Sequence, residues 1–435
     1  MKHIFLFGYA VLLLNFFALS QNWQRIGTYG FNQEIKHFYS DSVSGNIYIA
    51  GNFSYADSIP VNYIARWNGT NLDSVPKTWN KFMLCFKRHN GQLFAGGNYI
   101  FRWNGTDWDT IGKTNIGAVL NFEEFNGDLV AFGGFDSINN IPASKIARWN
   151  GTTWSALDTT KWLNFITCST VWNGDLYVGG NMVTPSGSIK HLARWNGQTW
   201  FPVGNNALDN GFGTLIDLET YKGELYITGV FRTVWGNPGN GIVKWSGTQW
   251  NDLGGGFTGF NNSGREMTVF NNELYVVGAF AEVAYKPANL IAKWDSVKWC
   301  TMGPNITNSG SANSICVFNN QLYIGGWFPT IDGDTMRHMA RWVGGNYTDS
   351  CVIINSVKEL PAPISVSLFP NPAQHQIQVQ VEGANLQKIT MTDILGREFR
   401  IPIENPIDIS FLKPGVYLVR LETDKGVVSK KLVKN

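Results

Sequence analysis

Six histidines are the first residues to test for chemistry, and His3, His37, His89, His191, His338 and His375 follow no metal-ligand spacing. The chain has no His-Glu-x-x-His string, no Gly-x-Ser-x-Gly elbow and no phosphate-binding loop. Asp332-Gly333-Asp334 is one short acidic loop, too little for a calcium site by itself. Paired catalytic carboxylates leave no local string, so an acid–base site stays open. These observations predict no metal and no cofactor, and they favour binding over catalysis.

Aromatic side chains offer more. All eighteen tryptophans stand at or before Trp342, and most recur in one pattern. Ala65-Arg66-Trp67-Asn68-Gly69-Thr70 is matched at Trp103, Trp149 and Trp195, with weaker copies at Trp245, Trp294 and Trp342. Trp235 and Trp327 fall outside the regular places, which makes them the candidates for stacking on a ligand. A cation precedes every motif tryptophan: Arg66, Arg102, Arg148, Arg194, Lys244, Lys293 and Arg341. A ligand site seldom respects such symmetry, so these cations read as repeated contacts between neighbouring repeats rather than as a basic ring. The Asn-Gly-Thr triplets at Asn68, Asn104 and Asn150 match a glycosylation sequon but read as turns.

The elements that position these residues follow from two turns per repeat. One lies in Val171-Trp172-Asn173-Gly174-Asp175-Leu176-Tyr177, whose Asn-Gly accepts positive φ at both turn positions, the requirement of a two-residue hairpin. The second is the Trp-Asn-Gly segment, which as a two-residue turn would pair Ala147 with Trp154 and Ala193 with Trp200. Gly96-Gly97 and Gly179-Gly180 read as crowding near a central axis. The motif tryptophans stand at 67, 103, 149, 195, 245, 294 and 342, so after a first interval of 36 the spacing runs from 46 to 50. Four short strands in a repeat of this size predict a β-propeller blade. The seventh repeat lacks a fourth strand, whereas Trp23-Gln24-Arg25-Ile26-Gly27 is an orphan fourth strand. Trp23 to Gly27 is therefore expected to close the last blade against Met339–Trp342, giving seven four-stranded blades.

The chain of 435 residues carries a net charge of +2 with 15% charged residues, which excludes an electrostatic nucleic-acid binder. Residues 1–20, with Lys2 and His3 before an apolar run and Ala18-Leu19-Ser20 after it, read as a secretory signal peptide. No later stretch has membrane-spanning length. Of five cysteines, Cys85 and Cys168 read as buried thiols, whereas Cys300 and Cys351 flank the end of the repeats and are placed to pair.

Beyond a linker at 356–364 the texture changes. Leu368-Phe369-Pro370-Asn371-Pro372, Asp393-Ile394-Leu395-Gly396-Arg397, Lys413-Pro414-Gly415-Val416-Tyr417 and the terminal Lys430-Lys431-Leu432-Val433-Lys434 follow in order. Residues 365–435 thereby resemble the type A C-terminal sorting domain of the type IX secretion system of Bacteroidota. The resemblance implies an immunoglobulin-like β-sandwich read by the secretion translocon and often removed on export. It makes Pro370, Asn371, Pro372, Asp393, Gly396, Arg397, Gly415 and Tyr417 the sorting motif. Residues 21–355 resemble bacterial Trp-Asn-Gly propellers, loosely kelch-like, and that resemblance carries architecture alone.

The expectation is an all-β chain, a seven-bladed propeller followed by a sandwich, secreted or held at the outer-membrane surface. Its role is expected to be binding of a glycan or protein ligand. A secreted glycan-active hydrolase or lyase is the alternative, and a structural surface-layer component the next.

Overall fold

The computed structural model describes residues 23–75, 83–208, 213–258, 262–302, 306, 310–331, 333–343, 365–393, 397–424 and 426–435. The chain divides into two compact units, Met1–Cys351 and Val352–Asn435. Both are all-β. Among the described residues the only helical pieces are two 3-10 turns, Gly204–Asn206 and Thr233–Trp235.

Among its described residues the first unit contains seven four-stranded antiparallel sheets, numbered here 1 to 7 in chain order. Sheet 1 is built from Ile35–Asp41, Asn46–Gly51, Ile64–Trp67 and Leu72–Ser74, and sheets 2 to 6 repeat that order. Sheet 7 differs. It takes Ser311–Phe318, Gln321–Trp327 and Met339–Trp342 from its own repeat, and its outer strand is Trp23–Arg25. The register pairs Trp23 with Trp342 and Arg25 with Ala340. Trp23 is buried, with its ring edge-on to Trp342 at 5.1 Å.

In sheets 2 to 7 the first turn forms as its composition dictates: Asn173 and Gly174 take φ of 52° and 83°, and Asn90 and Gly91 take 47° and 76°, whereas sheet 1 joins Asp41 to Asn46 through a longer loop. The second turn corrects the two-residue reading. Trp149 pairs with Trp154 and Ala147 with Ala156, while Trp195 pairs with Trp200 and Ala193 with Pro202. Four residues therefore form the loop. The physical reason is the Asn side chain: Asn150 Oδ1 accepts the amides of Thr152 and Thr153 at 3.0 and 2.9 Å, an Asx turn that a two-residue hairpin would forbid. Two indoles consequently face each other across the hairpin, with centroids 5.3 Å apart at Trp149–Trp154 and 5.0 Å at Trp195–Trp200.

The cations before each motif tryptophan are also corrected. They bond within their own sheet rather than between sheets: Arg66 reaches Asp73 at 2.6 Å, Lys244 reaches Glu224 at 2.5 Å and Lys293 reaches Glu273 at 2.9 Å. Arg341 likewise donates within its own sheet, to Gln321 at 3.1 Å and to Gln24.

Every first strand breaks register once, between Ile35 and His37 in sheet 1, Met83 and Cys85 in sheet 2, and at the equivalent places in the rest. The residue left unpaired at each β-bulge is Lys36, Leu84, Leu120, Thr167, Ile216, Arg265 or Asn313. This bulge explains the glycine pairs. A Cβ on Gly180 would lie 2.5 Å from the Phe165 carbonyl at the bulge, and one on Gly179 would lie 2.8 Å from Cys168 Sγ and 3.3 Å from Leu215 of sheet 5. Crowding by the bulged strand and the next sheet replaces the axial crowding expected from sequence.

First strands pack side by side in chain order, and that of sheet 7 packs on that of sheet 1. A hydrogen bond or ion pair crosses each step. Tyr39 Oη accepts the Arg88 amide at 2.8 Å, Lys87 meets Glu123 at 2.6 Å, and Asn121 Nδ2 donates to Ser169 Oγ at 3.1 Å. Thr167 Oγ1 donates to the Leu215 carbonyl. Asp217 Oδ2 accepts the Met267 amide at 2.7 Å, Glu266 Oε2 accepts the Ile315 amide at 3.1 Å, and Ser314 Oγ accepts the Phe38 amide at 2.8 Å.

Cys85, Cys168 and Cys316 are free buried thiols, and Cys300 is disulfide-bonded. Cys351, its expected partner, lies outside the described residues, as do the signal segment 1–20 and the linker 356–364.

In the second unit a three-stranded sheet of Ser365–Phe369, Gln376–Glu382 and Ile407–Asp408 and a four-stranded sheet of Glu398–Ile401, Leu386–Asp393, Gly415–Thr423 and Gly426–Lys434 share one apolar cluster. Ile377 from the first sheet and Val419 from the second are fully buried in it.

Candidate functional site

The bulge residues line a cavity of about 650 Å³ together with the next residues of the first strands. Three are aliphatic and half-buried: Leu84, Leu120 and Ile216. Lys36 and Arg265 are exposed, and Lys36 pairs with Glu34 at 2.6 Å. Arg265 makes no hydrogen bond or ion pair among the described residues.

The carboxylates of sheets 5 and 6 give the cavity its electrostatics. Burial raises Asp217 to about 6, although its oxygens accept the Met267 and Leu218 amides at 2.7 and 2.9 Å. Glu219 rises to about 7, first through burial and then through the nearby Asp217 charge. Glu266 is pushed well above the usual carboxylate range by burial, with Asp217 adding to it. At neutral pH Glu219 is therefore poised to exchange a proton. Burial lowers His37 to about 4, so it is neutral there. Among the described residues no group of three or more His, Cys, Asp or Glu side chains is arranged to hold a metal ion.

Trp327 ends the second strand of sheet 7, opposite Ser311, and is 45% exposed. Its indole stacks on the His338 imidazole, with centroids 4.9 Å apart and planes 18° from parallel. The backbone holds His338 there: it lies in a left-handed conformation with φ of 76°, and its carbonyl accepts the Gly326 amide at 3.0 Å. Burial lowers the pKa of that imidazole below its ordinary value. Trp235, the other candidate, closes the 3-10 turn Thr233–Trp235, and its side chain lies outside the described residues.

The cavity was not anticipated, yet a signal for it exists. Each bulge residue stands six positions before the first turn, as Leu84 does before Asn90, Ile216 before Lys222 and Arg265 before Asn271. The bulge positions share no residue type, so a motif search passes over them.

The C-terminal motif residues have local tasks in their unit. Asn371 Nδ2 donates to the Lys431 carbonyl at 2.7 Å and its Oδ1 accepts the Val433 amide at 2.8 Å, tying the Pro370–Pro372 segment to the last strand. Asp393 Oδ2 pairs with Arg397 Nε at 2.7 Å. The buried Tyr417 donates its hydroxyl to the Lys413 carbonyl at 2.8 Å, beside Gly415 at the strand start. Gly396 lies outside the described residues.

Among solved structures, the chain is similar to the extracellular domain of a hybrid two component system from B. thetaiotaomicron, at 13% identity and a TM-score of 0.45, covering 95% of this chain and 57% of that one. It therefore spans less than two thirds of that protein. A GH74 enzyme of Niastella koreensis gives 12% identity and a TM-score of 0.48, with 94% and 67% covered. The computationally designed Ika8 protein gives 12% identity and 0.43, with 72% and 97% covered. No curated protein matches the chain. Residues 367–435 match the family model of the secretion system C-terminal sorting domain, and the chain is accordingly a secreted protein handled by the type IX secretion system.

Proposed function

We propose that the protein is an exported binding protein: a seven-bladed, kelch-like β-propeller with an N-terminal signal peptide, delivered to the surface or medium of a member of the Bacteroidota. An immunoglobulin-like sorting sandwich carries it there, and a Cys300–Cys351 bridge staples the end of the last blade. The cyclic order of first-strand contacts and the outer strand that Trp23–Arg25 lends to sheet 7 support the seven-bladed reading.

The observation that carries the binding role is Trp327. Its indole lies exposed, held flat against His338, at a position where the other repeats have no tryptophan. Buried aromatics need no ligand, but an exposed, oriented ring is a platform for the apolar face of a sugar or a partner's side chain. A glycan array probed with the purified protein tests this, and Trp327→Ala is expected to weaken the hits about tenfold.

A glycan-active hydrolase or lyase is the second reading. His37, Tyr39 and Glu219 line one cavity, and the value near 7 at Glu219 suits a general acid or base. Against it, the Asp217 and Glu266 carboxylates both receive amide hydrogen bonds from the adjacent sheet, as structural ties do. Product analysis on any glycan hit, with Glu219→Gln beside it, separates cleavage from binding.

A further inference from the structure

The cavity is distinct from the Trp327 platform, and its wall is unevenly built. In packing order the bulge residues read Lys36, Leu84, Leu120, Thr167, Ile216, Arg265, Asn313. Leu84 and Leu120 stand across the ring of sheets from Arg265, leaving an aliphatic arc on one side and a cation on the other. Of the other charged groups in the cavity, Lys36 is paired with Glu34 and Lys87 with Glu123, Asp217 and Glu266 bond backbone amides of their neighbours, and Glu219 accepts the Thr220 amide at 2.8 Å. Burial pushes the carboxyl of Glu266, the residue beside Arg265, well above its ordinary range, and it forms no ion pair with the guanidinium among the described residues. The Thr268 hydroxyl, on the same strand and lining the same cavity, has no partner among the described residues.

We propose that this cavity binds a compact sugar acid, with its carboxylate on Arg265, its hydroxyls toward Thr268 and Tyr39, and a C–H face of its ring against Leu84 and Leu120. A guanidinium is suited to hold a carboxylate in a bidentate pair. A volume of about 650 Å³ falls within the range of small-molecule sites. The exposed lining of the cavity is largely polar, which favours a hydroxyl-rich ligand over a long hydrocarbon tail.

The test is isothermal titration calorimetry of the full chain with D-glucuronate, with D-glucose and acetate as controls for the charge and the ring. Saturable one-to-one binding of glucuronate is expected, with glucose and acetate each weaker by about tenfold or more. Arg265→Gln, at an exposed position, is expected to lose about tenfold, and Val297→Ser, exposed and outside the cavity, nothing. Four results would each overturn the proposal: no saturable glucuronate binding, equal binding of either control, unchanged affinity in Arg265→Gln, or a loss in Val297→Ser. Failure of the Trp327 platform on the glycan array leaves the cavity result standing, so the two readings fall separately.

Discussion

The hydroxyl of Ser314 accepts the amide of Phe38 at 2.8 Å, joining the first strand of the last sheet to that of the first across 276 positions of sequence. Trp23, paired with Trp342, makes the same junction from the outer edge. The first and last sheets of the repeats are thus fastened twice, once through their first strands and once through an outer strand.

The inner fastening predicts a cost for Ser314→Ala. The variant leaves a buried amide without its acceptor, and a loss of about 1–3 kcal/mol is expected in urea unfolding. Unchanged stability would show that Phe38 finds another partner.

The outer fastening predicts a larger effect. Trp23 is buried to 1% exposure, so Trp23→Ala is expected to lose about 3–5 kcal/mol, with a matching drop in the thermal midpoint. Trp235→Ala serves as the comparison at a tryptophan outside the regular motif places.

Tight approach between sheets gives a third test. A Cβ on Gly325 would lie 2.4 Å from the Phe38 ring. Gly325→Ala is expected to destabilise by about 1–3 kcal/mol through overpacking. Gly325→Ala with Phe38→Leu should recover part of that loss, measured in the same unfolding assay.

The buried carboxylates predict a pH dependence with a definite sign. Glu219 holds its proton up to about 7 in the folded chain against 4.5 unfolded, so the native state binds more protons through that window. Stability is therefore fullest below the unfolded value and falls as pH rises through about 7. His37 acts oppositely, but its window runs from about 4 to 6.5 and closes below neutrality. Between about pH 6.5 and 8 the thermal midpoint should fall, and Glu219→Gln should flatten that fall.

Sequence legibility followed the degree of repetition. The Trp-Asn-Gly strings and the Asn-Gly turns were readable because several copies need the same turn chemistry, and the orphan strand at Trp23 was readable because one copy lacked it. The hairpin register was misread because the Asn150 side chain, not the backbone alone, sets the loop length. The cations were assigned to the wrong neighbour because an acid across the sheet, such as Asp73 opposite Arg66, has no fixed place in the motif. The cavity stayed hidden because its lining comes from bulge positions that are not held to one residue type by packing. Pro370, Asn371 and Pro372 were legible for the opposite reason, as a contiguous motif within the matched sorting domain.

Export supplies a test in cells. A chain ending after Ser356 lacks the sorting domain matched at 367–435 and should accumulate in the periplasm, read by fractionation and immunoblotting. Normal surface delivery of that truncation would remove the sorting role.

The most direct measurement of the central claim is a glycan array probed in parallel with the full chain and its Trp327→Ala variant, with product analysis on every hit. The account predicts a discrete set of glycans bound intact by the full chain and weakened about tenfold by the substitution. Equal binding by both proteins, or cleavage of the bound glycans, would contradict it.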